Sequence, residues 1–334
     1  MNLLVTGASG FVGRGLVDRL AAHGHGGLAT GRTPPPGMPA GWRAARRADV
    51  LGDAVGGSAP PDPPSAARGE VPGRPDVIVH LEVKQHVFRP TAADVAEFQR
   101  INVLGTREWL DWAARAGVGR FVLVSSIKAA AAAGGSKPDT PYGRSKAEAE
   151  AEVRAWVAAA PARSAAILRP APVYGPGNQA NLAAFARQVL AGWPAVVGVG
   201  AARKSVVSRE NLAAAIEFAA ARLVAGDHAG ACDVFDVSDA ETLSVGQLAT
   251  LIAELGHALP PRRIPDRLAD AVAPVGDVIS RVTGREFPLT RARLRALRET
   301  SEFPCDRLVA AGFAHPQSIR EGIREMLDWL RRTR

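Results

Sequence analysis

Tyr142 and Lys146 stand four residues apart in Tyr142-Gly143-Arg144-Ser145-Lys146, and on a helix that spacing puts a phenol and an ammonium on one face. A phenol is a poor acid or base near neutrality, because its ordinary pKa is ~10. A neighbouring cation favours the phenolate and lowers that value, which makes proton transfer usable. The same spacing also suits a tyrosine ring packed on a lysine stem. Ser125 and Ser126 close the apolar run Phe121 to Val124, and open α/β sheets bind ligands at the carboxyl ends of their strands. Ser126 is thus placed to hydrogen-bond the substrate oxygen that Tyr142 protonates, although two serines opening a loop would look alike.

A second group opens the chain. Thr6-Gly7-Ala8-Ser9-Gly10-Phe11-Val12-Gly13 follows the apolar run Asn2 to Thr6 and leads into Phe11 to Ala22, where apolar residues recur at helical spacing. Glycines between a strand and a helix let the backbone turn tightly and approach a pyrophosphate at the helix N-terminus. In a chain with 34 glycines an ordinary βα turn carries similar letters, so the strand-loop-helix context gives this loop its weight. Gly7, Ser9, Gly10, Phe11, Val12 and Gly13 are its cofactor-binding candidates. The next strand ends Thr30-Gly31-Arg32, with no carboxylate for a ribose 2′-hydroxyl, whereas Arg32 suits a 2′-phosphate. The expected cofactor is NAD or NADP, with a lean to NADP.

Positioning these groups takes alternating strands and helices. Strands are expected at Leu28 to Thr30, Asp76 to Leu81, Phe121 to Ser125 and Ala165 to Leu168. Helices are expected at Ala92 to Ala116 and Tyr142 to Ala159. Pro34 to Arg74 is dense in Pro, Gly and Ala, and residues 52–74 read as a loose surface insertion. Alternation implies right-handed crossovers and an α/β, doubly wound parallel sheet. After Arg169 the rhythm changes, with helices at Asn181 to Leu190 and Asn211 to Ala225, a strand at Cys232 to Val237, and mostly helix from Ser244. Residues 1–170 are therefore assigned to a dinucleotide-binding domain of Rossmann type, with 206–240 returning to it. Residues 171–205 and 241–334 are assigned to a smaller, mostly helical substrate-binding lobe.

Composition narrows the classes. Hydrophobic residues make up 47 % of 334 and charged residues 22 %, which is the balance of a chain that buries a core rather than a disordered one. The formal charge is +8, but the arginines are spread, with only Arg281 to Arg298 dense, so the expected partner is an anionic small molecule and not nucleic acid. Cys232 and Cys305 lack metal-ligand spacing, and no metal is expected. No apolar run approaches the ~18 residues of a membrane span, and Met1 to Thr6 has no leader-like pattern. These features point to the cytoplasm and to no membrane partner.

Taken together, TGASGFVG, DVIVHL, INVLGT, VLVSSIK, YGRSKAEAE, LRPAPVYGPG and the closing GFAHPQSIREGIREMLDWL resemble the extended short-chain dehydrogenase/reductases of the NAD-dependent epimerase/dehydratase group, over nearly the whole chain. The resemblance implies an enzyme in which Tyr142 is the acid/base, Lys146 the ribose-binding lysine and Ser126 the substrate-polarising hydroxyl. It implies cofactor-phosphate contacts at Gly7, Gly10 and Gly13, adenine contacts at Asp49 and Val50, and a supporting role for Asn102. Leu81 and Ser125 complete the cofactor candidates. Asn178, Asn181, Arg203 and Lys204 are the substrate-binding candidates, the last two resembling a phosphate-holding stretch. The chain departs from the family at Glu82-Val83-Lys84, where small alanines are usual, and at Ser208-Arg209-Glu210 in place of Tyr-Val-Asp. The leading expectation is an epimerase or oxidoreductase of a nucleotide-sugar, with a homodimer possible through the helix of the Tyr/Lys pair. A dehydrogenase of a steroid-like or other apolar alcohol is the second, suggested by VTGREFPLTRARLRAL. A non-catalytic cofactor sensor or scaffold on the same fold is the third.

Overall fold

Seven short strands lie side by side in one sheet, and every pairing in it is parallel. The computed structural model describes residues 1–52, 73–87, 90–132, 140–178, 182–226, 229–284, 287 and 289–333. In chain order the first elements are β1 (Asn2–Thr6), α1 (Phe11–Ala22), β2 (Gly26–Gly31), β3 (Trp42–Arg46), α2 (Arg47–Leu51), β4 (Val77–His80), α3 (Ala92–Phe98), a π-helical segment (Gln99–Leu104) and α4 (Gly105–Arg115). They continue with β5 (Arg120–Val124), α5 (Ile127–Ala132), α6 (Pro141–Ala158) and β6 (Ser164–Pro170). The strand Cys232–Val237 pairs with β6, which gives the order Cys232–Val237, β6, β5, β4, β1, β2, β3. Strand order reverses between β1 and β4, and the crevice above their carboxyl ends is the ligand position of such sheets.

Period-two alternation explains the two covered faces. Leu4, Leu28, Ile78, Phe121, Leu123 and Ile167 share one core with Trp109, Trp112 and Trp156 from α4 and α6. Leu3, Val5, Val77 and Val79 alternate with them and are fully buried as well. The strand β3 lies inside the stretch dense in Pro, Gly and Ala, where no strand was expected. Its pattern, Trp42-Arg43-Ala44-Ala45-Arg46, carries two exposed arginines, which an edge strand tolerates because it has one neighbour and a solvated margin. The expected insertion falls mostly on residues 53–72, outside the described ones.

The chain divides into two units. The first comprises 1–171, 210–237 and 305–314, the second 172–209, 238–304 and 315–334. Segment 305–314, expected in the smaller lobe, belongs to the first, where α12 (Asp306–Ala310) packs on Cys232–Val237. The second unit is mostly helical. Its α7 (Leu182–Leu190), α9 (Val245–Gly256) and α13 (Ile319–Arg332) share a core of Leu248, Ile252, Ile323, Met326 and Leu327. A separate cluster joins α10 (Asp266–Thr283) and α11 (Arg291–Arg298) through Ala269, Ala273, Leu289 and Leu294. The helix α8 (Arg209–Ala225) lies largely in the first unit.

Candidate active site

The glycine loop is shaped by close backbone approach. A Cβ on Gly7, whose φ is +67°, would sit 2.9 Å from the Glu82 nitrogen, and one on Gly13 would sit 2.5 Å from the Gly7 oxygen. Only glycine fits such spaces without moving backbone. The helix α1 then starts at Phe11 with no side-chain cap and no acidic residue in its first turn, which leaves its positive end for an anion. Gly7, Ser9, Gly10, Phe11, Val12 and Gly13 are thus gathered in one turn, facing the loop that follows β4 and contains Leu81. This cradle, which side chains would fill, fits a dinucleotide pyrophosphate.

Beside it, a Cβ on Gly31 would meet the Ser9 hydroxyl at 2.8 Å, so the end of β2 borders the glycine loop. Arg32 follows and is exposed. Gly31 is in register with Arg46 of β3, and register partners in a parallel pair project to the same sheet face. Arg46, also exposed, therefore leaves β3 on the face where Ser9 lies. Asp49 and Val50 sit on the short α2, Asp49 exposed and Val50 buried. Glu82 directs its carboxylate to the Trp109 indole N–H at 3.0 Å and the Arg47 guanidinium at 3.1 Å. Burial raises its pKa, against those two partners.

Tyr142 enters on the first turn of α6, where Thr140 caps the helix by accepting from the Gly143 N–H at 3.0 Å and Pro141 occupies the first helical position. A Cβ on Gly143 would lie 2.7 Å from the Lys128 oxygen, so the helix start can approach α5 only with glycine there. The Ser126 hydroxyl, which accepts from the Lys128 N–H at 3.3 Å, lies close enough to the Tyr142 phenol to favour its ionised form. Phe98 and His86 meet its ring edge-on at 5.8 and 5.9 Å, and the Lys128 ammonium stands 5.8 Å from the ring centre. The expected lowering of the phenol pKa by Lys146 is not what this arrangement produces. Burial pushes Tyr142 up to about 12, against the pull of Ser126, and the Lys146 ammonium donates to the Val124 carbonyl at 2.9 Å.

Lys146 is buried, and burial lowers its pKa to about 8, with Glu150 acting the other way. Glu150 lies one further turn along α6, 1 % exposed. It accepts from the Ser125 hydroxyl at 2.7 Å and from two nitrogens of Arg169 at 2.8 and 2.6 Å. Burial works to raise its pKa, but Arg169, Ser125 and Arg154 outweigh it and hold it below the ordinary value. Ser125, a candidate cofactor contact, thus has its hydroxyl committed to Glu150. Tyr142, Lys146 and Glu150 form a stripe at i, i+4 and i+8. The Glu was visible in the quoted YGRSKAEAE motif, but not its partners.

Asn102 sits in the π-helical segment, fully buried. Its side chain accepts from the Lys84 N–H at 2.8 Å and donates to the Ser145 hydroxyl at 2.9 Å, tying the loop after β4 to α6. Beneath it His80 is held between Thr6 and Thr106 at 2.8 and 3.2 Å. Thr6 also accepts from the Leu81 N–H, and Thr106 donates to the Asn102 carbonyl. One proton arrangement satisfies the chain: Thr6 donates to Nδ1, and Nε2–H donates to Thr106. Burial, with Lys146 and Arg47 adding to it, holds His80 neutral, well below the ordinary pKa.

The substrate candidates fall in the second unit. Asn178 donates to the Val173 carbonyl at 2.7 Å, bracing its own turn. Arg203 pairs with Glu302, and the Lys204 ammonium donates to the carbonyls of Ala296 and Glu299 at the end of α11. Both cations are thus engaged within that unit. Asn181 lies outside the described residues. Lys128, His86, Arg46 and Glu150 were missed by the sequence reading; of these only Lys128, in VLVSSIK, and Glu150 stood in a quoted motif.

Comparison with known proteins places the chain. Residues 3–234 match the family model described as the NAD dependent epimerase/dehydratase family. A UDP-glucose 4-epimerase of Vibrio cholerae is 28 % identical, with 97 % of this chain and 94 % of that protein aligned. A ceramide reductase of Caulobacter vibrioides is 30 % identical over 98 % of this chain and 93 % of its own. Among solved structures, MoeE5 in complex with UDP-glucose and NAD superposes with a TM-score of 0.69 at 24 % identity, covering 100 % of this chain and 99 % of that one, a likeness of fold.

Proposed function

Because the chain belongs to the NAD-dependent epimerase/dehydratase family, we propose that it moves a hydride between a nicotinamide cofactor and a hydroxyl or keto carbon of a nucleotide-sugar, with Tyr142 as the proton-transfer group. The observation that carries this reading is the Tyr142 phenol close enough to Ser126, at the carboxyl end of β5, for the serine to pull its pKa down, with Lys146 one turn along α6. When bound, the nicotinamide supplies the hydride acceptor or donor. Ser126 holds the reacting oxygen, and Tyr142 exchanges the proton with it. A phenol with a pKa of about 12 is protonated at neutral pH, so the direction it serves most readily is carbonyl reduction, in which carbon receives hydride and oxygen receives the phenolic proton.

The proposal includes a preference for NADP. Gly31, which borders Ser9, is followed by the exposed Arg32 and is the register partner of the exposed Arg46, and Thr30-Gly31-Arg32-Thr33 offers no carboxylate to a ribose. A second reading, an apolar alcohol as substrate, is favoured by one observation: Arg203 and Lys204 are already occupied by Glu302 and by the end of α11, which weakens their claim to a diphosphate.

Calorimetric titration with NADPH and NADH, followed by a panel of UDP-sugars added to the tighter complex, tests these readings. The expected outcome is NADPH binding strengthened by a UDP-sugar. Cofactor binding without response to any sugar would transfer the reading to an apolar alcohol, and absence of cofactor binding would overturn it. Tyr142→Phe is expected to keep cofactor affinity and lose roughly 10²–10⁴-fold in turnover; unchanged turnover would sink the mechanism.

A further inference from the structure

The helix α10 turns one face to its own small core and a second, apolar face to water. Residues along a helix are set ~100° apart, which puts Leu268, Val275, Val278 and Val282 within an arc of about 80°, separated by the half-buried Val272 and Ile279 from the buried arc of Ala269, Ala273 and Gly276. These four side chains are 53 %, 55 %, 57 % and 79 % exposed, and Ala271 between them is exposed too. Single exposed aliphatic residues are ordinary, but a continuous stripe along four turns marks a surface that something covers.

Charge says what kind of surface. Between Arg262 and Arg298 the sequence has nine arginines and four acidic residues, a net +5 out of the chain's +8. The acids are largely taken up locally: Arg298 pairs with Asp266 and Asp270, and Arg291 with Asp277. Arg267 and Arg281 are exposed on the polar arc of α10 itself. A second copy of this chain would bring the same positive charge against itself. The stripe has no aromatic side chain, so it offers no stacking platform to nucleic acid. A helix with an aliphatic face and arginines beside it matches the pattern that lies in the interface of an anionic bilayer, with apolar side chains among the headgroups and cations on lipid phosphates.

We propose that α10, with its exposed Arg267 and Arg281 flanking the aliphatic stripe, is a docking surface for an anionic lipid membrane. No helix among the described residues is long and apolar enough to cross a membrane, and this surface lies on one instead. The expectation of no membrane partner rested on the lack of a spanning segment, which does not bear on a helix lying in the interface. The proposal is independent of the substrate and of the cofactor.

Co-sedimentation of the full chain with vesicles of phosphatidylcholine containing about one-third phosphatidylglycerol, and with phosphatidylcholine alone, provides the test. Binding to the anionic vesicles is expected, weakened by salt and weaker on the neutral ones. Val275→Asp with Val282→Asp should reduce it by about tenfold or more, and Arg267→Glu with Arg281→Glu should do the same while keeping the stripe. Circular dichroism and cofactor titration should be unchanged in both, since all four side chains are exposed. Failure to bind, or equal binding by the native chain and the Val variant, would overturn the proposal. So would a dimer that the Val variant converts to monomer without any vesicle binding, which would assign the stripe to a second copy.

Discussion

At the scale of single residues, burial sets the electrostatics of the stripe Tyr142, Lys146 and Glu150. The Lys146 pKa falls from 10.5 to about 8 because a buried ammonium loses water, with Glu150 compensating in part. Between about pH 8 and 10.5 the unfolded chain keeps a proton that the folded chain has released, so stability rises with pH across that window; below about 8 the full penalty, roughly 3 kcal/mol, is present. Urea denaturation at pH 7.5 and 9.5 should show this rise in the native chain and lose it in Lys146→Met. Glu150→Gln leaves Arg169 without its buried partner and is expected to cost about 3–5 kcal/mol. It should also move the Lys146 titration to lower pH, because Glu150 is the group that raises it. A denaturation midpoint within experimental error of the native one would contradict the assignment of this ion pair as a support of the site.

At the scale of elements, the site depends on places where backbones nearly touch. Gly13→Ala would push a methyl against the Gly7 oxygen and the Ala8 backbone, costing about 1–3 kcal/mol. Because that strain falls on the turn proposed to hold the pyrophosphate, cofactor affinity should fall while the sheet stays folded, which titration beside circular dichroism would separate. The Thr6–His80–Thr106–Asn102 chain links β1, β4 and the helix beyond the π-helical segment, and it uses His80 as a neutral joint. The unfolded chain takes up that proton below about pH 6.5 while the folded chain resists it, so this joint withdraws stability as pH falls. The nitrogen shifts of His80 should stay those of the Nε2–H tautomer from pH 5 to 8, and a charged imidazolium signal at pH 6 would show the chain of bonds to be misassigned. The motifs gave the ordinary βα units; they did not give the widened π turn, inside which Asn102 bonds both the Lys84 N–H and Ser145, partners distant in sequence.

At the scale of the whole molecule, positive charge and strand order act together on anionic ligands. Replacing Arg32 and Arg46 by Ala is expected to weaken NADPH by about 10–100-fold and NADH far less. NADPH affinity should also fall with salt more steeply than NADH affinity; parallel slopes would argue against a 2′-phosphate site at these strand ends. How much of this was legible in the chain follows from what each signal needs. Local pattern alone placed the glycine loop, the Tyr142/Lys146 pair, the serines ending β5 and the alternating α/β order, because turn chemistry and periodicity are properties of neighbours in sequence. Packing decided the rest. The edge strand β3 formed only because β2 was there to pair with it. Ser125 turned to Glu150, Arg203 and Lys204 to Glu302 and the end of α11, and the phenol pKa rose instead of falling. These outcomes depend on burial and on partners from 15 to nearly 100 residues away, and such distances carry no mark in a linear motif.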